Sequence, residues 1–385
     1  MKRCPGPIII QNRWAATAVF QYDGVIDDHG NRLMMASHAG SRYVLMVSVL
    51  ALLLSACHGD RISQQYQVPV FGTLVDVSVH DADRDAAAKA IAEITQKFEA
   101  MHSDWHAWKP GTVVELNQAI ARGQSFTVND EMATVIAQAK ILAARSQHLF
   151  NPAIGKLIGL WGFHADVRPS GPPPAAKEIQ ALVKLNPRMD NLEISGNNIS
   201  SSNPAVQLDF GGFAKGVAVD FAIAILRKHG INNAIVNGGG DLRAIGRHGD
   251  RRWRVGVRQP GNWDVVAVIE TRDDESVFTS GNYERYREHM DRRYAHIIDP
   301  RDGMPVEHVA SVTVIHKDGA TADAAATALV VAGVKNWERI ARNMGIRYAM
   351  MIDDKGTVYT HPAMLKRLEF AEDSKPKIVL GADLP

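Results

Sequence analysis

The sequence predicts an α+β fold: one large domain of mixed sheets with packed helices, arranged as a single body or as two lobes. Three observations predict it. Helical and strand-like periodicities are both present, they do not follow the regular βα alternation of a doubly wound sheet, and strands dominate the second half. At 385 residues, with 22% charged and 7% aromatic side chains, the chain is long enough for a large buried core. A net charge of +1 gives no electrostatic reason to expect nucleic acid as a partner.

The elements follow in order. "VPVFGTLVDVSV" is strand-like, with Val75, Val77 and Val79 in one phase, Val68 and Val70 in the other, and a bulge or bend expected at Gly72. Ile91, Ile94, Phe98 and Met101 recur at helical spacing and predict a helix over 83–101. After the loop "SDWHAWKPGT", a second helix is predicted over 130–146, burying Met132, Ile136, Ala139 and Ala143. "VRPSGPPP" is too rich in proline and glycine for regular structure, and "EISGNNIS" reads as a hairpin turning at Gly196 and Asn197. A strand ending in "VQLDF" passes two glycines into a helix over 213–229, stopped by Gly230. Strands are then expected at "NAIV", "WRVGV", "VVAVIE", "YAHIID" and "VASVTVIH". A helix closed by Gly333, another over 335–344 and a hairpin at "DDKG" follow. The domain is expected over 68–370, with a tether over 57–67 and a loose tail over 371–385.

The N-terminus reads as an export signal. Arg42 precedes the charge-free run "YVLMVSVLALLL" and then "SAC", which is too short to span a bilayer comfortably. "LSAC", Leu54 to Cys57, resembles a bacterial lipoprotein signal, so residues 34–56 are expected to be removed and Cys57 lipidated. Residues 1–33 would be an extension ahead of that signal. The mature chain would be anchored to a bacterial membrane, facing the periplasm, with inner and outer membrane both open. Only Cys4 and Cys57 occur, so no disulfide remains after processing.

Several tempting motifs fail. "NGGGDLRAIG" has Arg243 where a dinucleotide fingerprint needs its third glycine. "GGFAKG" lacks the spacing and hydroxyl of a P-loop, and "FTSGN" has Phe278 where a nucleophile elbow needs glycine. Four glycine-flanked polar clusters remain at strand ends: Asp209–Gly216, Asn237–Asp241, Thr279–Tyr283 and His296–Gly303. Glycine lets backbone approach a ligand, and exposed amides there can hold phosphate oxygens. Asp323 and Thr327 lie four apart on an otherwise apolar helix and so share a face. They could be oxygen ligands for a hard metal ion. Alternatively, Asp323 favours the helix N-terminus and Thr327 bonds back to a carbonyl.

"LDFGGFAKGVAVD", "IVNGGGDLRAIG", "FTSGNYERY", "HIIDPRDGMPV" and "TADAAATAL" together resemble, in order and spacing, the ApbE flavin transferases. "FGTLVDVSV", "SDWHAWKPGT" and "LFNPAIGKLIGLWGF" are similar to that family's weaker N-terminal blocks. The resemblance implies magnesium-dependent transfer of FMN from FAD to a Ser or Thr hydroxyl of an acceptor protein, with release of AMP. Redox-pump subunits and exported flavoproteins are the implied acceptors. It further implies Asp323, Thr327 and the carbonyl of Gly212 as magnesium ligands and His296 as the catalytic base. Phe71, Trp108, Gly162, Phe163, His164, Asp209, Lys215 and Ile297 would contact FAD, Lys215 reaching either the phosphates or Asp209. Lys215, His296 and the aromatics Phe71 and Trp108 each have a bland alternative: a surface lysine, a structural histidine, core aromatics. Asn151, Asn282 and Phe71 depart from the family's usual aspartates and methionine. Two other functions are compatible with the same residues: a periplasmic FAD pyrophosphatase, and a non-catalytic FAD-binding lipoprotein.

Overall fold

The computed structural model describes residues 61–70 and 73–384. The signal, Cys57 and Phe71 lie outside these residues.

A nine-stranded sheet forms the backbone of an α+β domain. β1 (Arg61–Val70) and β2 (Thr73–Asp83) make a hairpin, Val70 opposite Thr73, at one edge of the sheet. The phase change near Gly72 is therefore a reversal of direction rather than a bulge, and residues 61–67 are strand rather than tether. β6 (Ala234–Gly238), β7 (Asp241–Ile245), β10 (Glu275–Gly281), β13 (Val309–His316), β14 (Tyr348–Asp353) and β15 (Val358–Thr360) follow, each antiparallel to its neighbour. β17 (Ile378–Leu380) adds in parallel to β15, so the expected loose tail instead closes the other edge.

Strand alternation sorts the core into two layers. Val236, Phe278, Val312, Val314 and Met351 point into a helical layer. Their neighbours Ile235, Val277, Ile315, Met350 and Ile352 point the other way, against Trp253, Val255 and Ile269. That second layer is covered by β8 (Arg254–Arg258), β9 (Val265–Glu270) and β16 (Leu368–Phe370).

The helical layer holds α1 (Arg84–Asp104), α2 (Thr112–Ala121), α3 (Asp130–Arg145), α6 (Ala214–Lys228) and α7 (Gly319–Asn343). α1 and α3 start where Asp83 and Asn129 cap the free amides of Ala86 and Met132. α3 buries Met132, Ile136, Ala139 and Ala143 as its spacing predicts. β4 (Leu192–Ser195) and β5 (Asn198–Ser201) turn at Gly196 and Asn197 and pair onward with the short β3 (Phe126–Thr127). The break expected at Gly333 is real: its backbone leaves the helical region at φ 66° and splits α7.

A satellite cluster joins α4 (Gly155–Leu160) and α5 (Ala176–Lys184) to Trp161, Phe163, Tyr294 and Ile298. Here "YAHIID" departs from the expected strand. Only Tyr294 and Ala295 belong to β12 (Arg292–Ala295), paired with β11 (Tyr286–His289), and the chain peels away at His296.

α6 packs along α7 with backbone against backbone at their N-termini. A Cβ at Gly216 would lie 2.3 Å from the Gly319 carbonyl oxygen and 2.8 Å from Ala320 Cα. Gly216→Ala is therefore expected to cost about 1–3 kcal/mol, seen as a lowered midpoint in thermal unfolding.

Candidate active site

Five segments that are distant in sequence meet where α6 and α7 begin: the turn after Pro152, the loop 161–166, residues 209–216, the β10–β11 connection and the start of α7. Asp318 caps α7 by accepting the Thr321 amide at 2.7 Å, so Asp323, more than one turn in, is not its capping residue. Instead Asp323 is buried, and its Oδ2 accepts the Gly216 amide at 2.9 Å. Burial pushes the Asp323 carboxyl up to about 7; Lys215 opposes that rise and Asp241 adds to it. One turn on, Thr327 Oγ1 lies 3.3 Å from Ser280 Oγ. Gly212 sits against it, since a Cβ there would come within 3.2 Å of Thr327 Oγ1. The structure thus brings Gly212, Asp323 and Thr327 to one junction.

Lys215, in the first turn of α6, does not pair with Asp209. It forms an ion pair with Asp241 of β7, whose other oxygen accepts the Thr279 amide at 2.9 Å. Burial works against the Lys215 ammonium, but Asp241 and Asp323 outweigh it and hold it charged. Asp209 is occupied elsewhere. Its Oδ2 meets His164 Nε2 at 2.8 Å, and its Oδ1 accepts the Gly211 amide at 2.8 Å. Burial raises the Asp209 carboxyl, yet the His164 and Gly211 bonds prevail and keep it below the usual carboxylate range.

Trp108 is half-buried and stacks on His164, ring centres 5.2 Å apart. His106 meets the indole edge-on at 4.7 Å, and its Nε2 is buried with no hydrogen-bond partner among the described residues. Gly162, at φ 85°, turns the chain where a Cβ would press on Pro169 at 2.9 Å. Next to it, Phe163 is buried and stands edge-on to His296 at 6.3 Å.

His296 is half-buried and is followed by the buried Ile297. Both its backbone amide and its Nδ1 lie 3.0 Å from the Arg285 carbonyl. A carbonyl can only accept, so the neutral ring carries its proton on Nδ1 and presents the Nε2 lone pair. Burial brings His296 down to about 4, the Arg285 carbonyl bond opposing and the Arg285 guanidinium adding. The ring is neutral at physiological pH.

Asp241, Ser280 and Arg285 were not singled out from the sequence. Asp241 and Ser280 lie inside glycine clusters whose side-chain directions depend on strand phase. Arg285 lies in the block "FTSGNYERY", but nothing local to it in sequence shows what its side chain reaches. Its guanidinium holds the loop 161–166 through the Phe163 carbonyl at 2.7 Å, while its own carbonyl orients His296. Asn151 stands where the resemblance expects aspartate; its Nδ2 donates to the Pro187 carbonyl at 2.9 Å, which a carboxylate could not do. Two open clefts of about 440 and 480 Å³ lie along α1, α3 and α6 around Phe221, and neither is lined by His296, Asp209 or Thr327.

With this geometry in place, comparison with known proteins is decisive. The ApbE family profile matches residues 71–351. The chain belongs to the ApbE family. A Rhodobacter capsulatus FAD:protein FMN transferase is 46% identical over 319 residues, covering 82% of this chain and 60% of that longer protein. The Treponema pallidum FAD:protein FMN transferase is 30% identical over 335 residues, covering 80% of this chain and 91% of that one. Among solved structures, the Thermotoga maritima ApbE protein superposes with a TM-score of 0.72 at 28% identity, covering 80% of this chain and 99% of that one. The apo flavinyl transferase ApbE of Pseudomonas stutzeri gives 0.70 at 29% identity, with 80% and 97% covered. The ApbE resemblance read from the motifs and the α+β fold are both borne out.

Proposed function

We propose that this ApbE-family protein transfers FMN from FAD to a Ser or Thr hydroxyl of an acceptor protein, requires magnesium and releases AMP. The observation that carries the chemistry is His296: a neutral ring whose tautomer is set by the Arg285 carbonyl, which leaves the Nε2 lone pair to accept a proton.

The donor set fits magnesium. One carboxylate, one hydroxyl and one backbone carbonyl are hard oxygen donors, and few protein ligands suffice when phosphates and waters complete the shell. Asp323 is buried and raised to about 7, with Asp241 adding to the rise and Lys215 only partly offsetting it, so a divalent ion would stabilise its carboxylate further. When bound by Asp323, Thr327 and the Gly212 carbonyl, magnesium supplies neutralisation of the pyrophosphate charge.

The chain's own residues do the rest. Trp108 offers a half-buried aromatic face for the isoalloxazine, and His106 Nε2 is available to a flavin polar atom. The buried Phe163 and Ile297 flank His296, and Lys215 would add positive charge for the phosphates. His296 Nε2 accepts the acceptor's hydroxyl proton. The resulting oxygen bonds to the FMN phosphorus, the pyrophosphate P–O bond breaks, and AMP leaves with the bridging oxygen. Trp108→Ala is expected to weaken FAD binding by about tenfold, measured by fluorescence quenching.

The test is to incubate residues 57–385 with FAD, magnesium and a candidate acceptor. AMP formed only with acceptor, together with covalent flavin on it, supports transfer. AMP without acceptor makes the protein a pyrophosphatase, and no AMP makes it a binder.

A lipid anchor on Cys57, holding the enzyme at a periplasmic membrane face, is part of the same proposal. Arg42, the apolar run and "LSAC" support it. No helix among the described residues is long and apolar enough to cross a membrane. Mass spectrometry of the native protein should find a lipidated Cys57 at the N-terminus; an intact N-terminus upstream of it would refute the anchor.

A further inference from the structure

Asp220 lies one helical turn beyond Gly216 on α6, so both face the start of α7. Its Oδ1 accepts the Gly319 amide at 2.9 Å and its Oδ2 the Ala320 amide at 3.0 Å. These are two free amides of the first turn of α7, satisfied from a different helix. Arg243 bonds the same carboxylate and is itself held by Asp274, with Nε at 2.9 Å and Nη2 at 2.7 Å. Arg243 is two residues from Asp241 on β7, so both point to the helical face of the sheet. One carboxylate therefore ties together the three elements that carry Lys215 and Gly216, Asp241, and Asp323 and Thr327.

The backbone contact makes this tie consequential. Gly216 and Gly319 approach so closely that neither accepts a Cβ without displacement, and the Gly216 amide donates to Asp323 Oδ2 across that contact. The register of α7 against α6 thus sets where Asp323 points. We infer that Asp220 is a positioning residue: by clamping the N-terminus of α7 to α6 and β7, it holds the Asp323 carboxylate at the junction with Gly212 and Thr327. The role rests on the proposed metal site but not on the transfer reaction.

The experiment compares Asp220→Ala and Asp220→Asn with Asp318→Ala. Asp318 also caps α7, through the Thr321 amide, but hydrogen-bonds no residue of α6. Two readouts are taken on the full soluble domain: magnesium affinity by calorimetry, and amide hydrogen exchange at Gly216 without metal. Asp220→Ala should weaken magnesium binding by about 10–100-fold, the usual scale for groups that orient a metal ligand. It should also speed Gly216 exchange by at least about tenfold. Asp220→Asn keeps one accepting oxygen and should fall between Asp220→Ala and the parent, which guards against an unfolded alanine variant. Asp318→Ala should leave both readouts near parental values. Equal effects of Asp220→Ala and Asp318→Ala would reduce Asp220 to an ordinary cap, and unchanged Gly216 exchange in both Asp220 variants would overturn the inference. If the parent binds no magnesium, the metal assignment fails, and the exchange arm alone decides Asp220.

Discussion

Asp323→Ala is expected to remove most magnesium-dependent turnover while the protein still folds. Asp323 is the only charged side chain proposed on the metal, so its loss removes most of the electrostatic attraction for a dication. Metal stabilisation of phosphoryl charge is worth several kcal/mol, and each 1.36 kcal/mol is tenfold in rate, so a loss of about 100- to 1,000-fold follows. Folding should survive because two effects offset. The Gly216 amide loses its acceptor at 2.9 Å, a cost of about 1–3 kcal/mol, while a buried carboxylate already pushed up to about 7 is relieved of its desolvation. Thr327→Val should be milder, since water can replace a neutral hydroxyl ligand. Activity titrated against magnesium and thermal unfolding without it separate the two effects. Parental activity of Asp323→Ala at limiting magnesium would show that the carboxylate does not hold the metal.

His296→Ala should lower the transfer rate by about 100- to 10,000-fold, the scale of general-base catalysis, with FAD affinity little changed. The pH dependence carries more information than the rate. A free histidine titrates near 6.5, which would place the acid limb of the rate close to neutrality. Burial brings His296 down to about 4, and a ring that gains a proton below that value can no longer accept one from the hydroxyl. At saturating magnesium, kcat/KM should therefore hold well below pH 6.5 and fall only as pH approaches about 4. The sign also applies to stability. A histidine buried neutral favours the folded state above the unfolded pKa of 6.5, and that contribution is lost as pH drops toward 4. Transfer read as covalent flavin on the acceptor, and binding read by fluorescence, should be followed across pH in parent and variant. A variant that binds FAD poorly yet transfers normally at saturation would make His296 a binding residue. An acid limb near 6.5 in the parent would mean that the ring is solvated during catalysis.

Periodicity and local chemistry determined much of this protein without a structure. Ile94, Phe98 and Met101 mark one helix, Gly196 and Asn197 one turn, and Gly333 one break, because each acts through neighbours within a few residues. The ordered glycine clusters, read as motifs, determined the family. Other features depend on contacts between distant segments, and these only the tertiary structure decided. Val68 and Val70 change phase against Val75 because the chain reverses, which alternation alone cannot distinguish from a bulge. The tail carries few core candidates in sequence, yet β17 pairs with β15 and Leu384 is buried in the main core, contacts that only the fold supplies. From sequence Lys215 reaches the phosphates or Asp209; in the fold it pairs instead with Asp241, while His164 and the Gly211 amide occupy Asp209. His296 was legible as a histidine in a motif. Its tautomer and its neutrality come from the Arg285 carbonyl and the burial around it, and neither is written in the residues next to it.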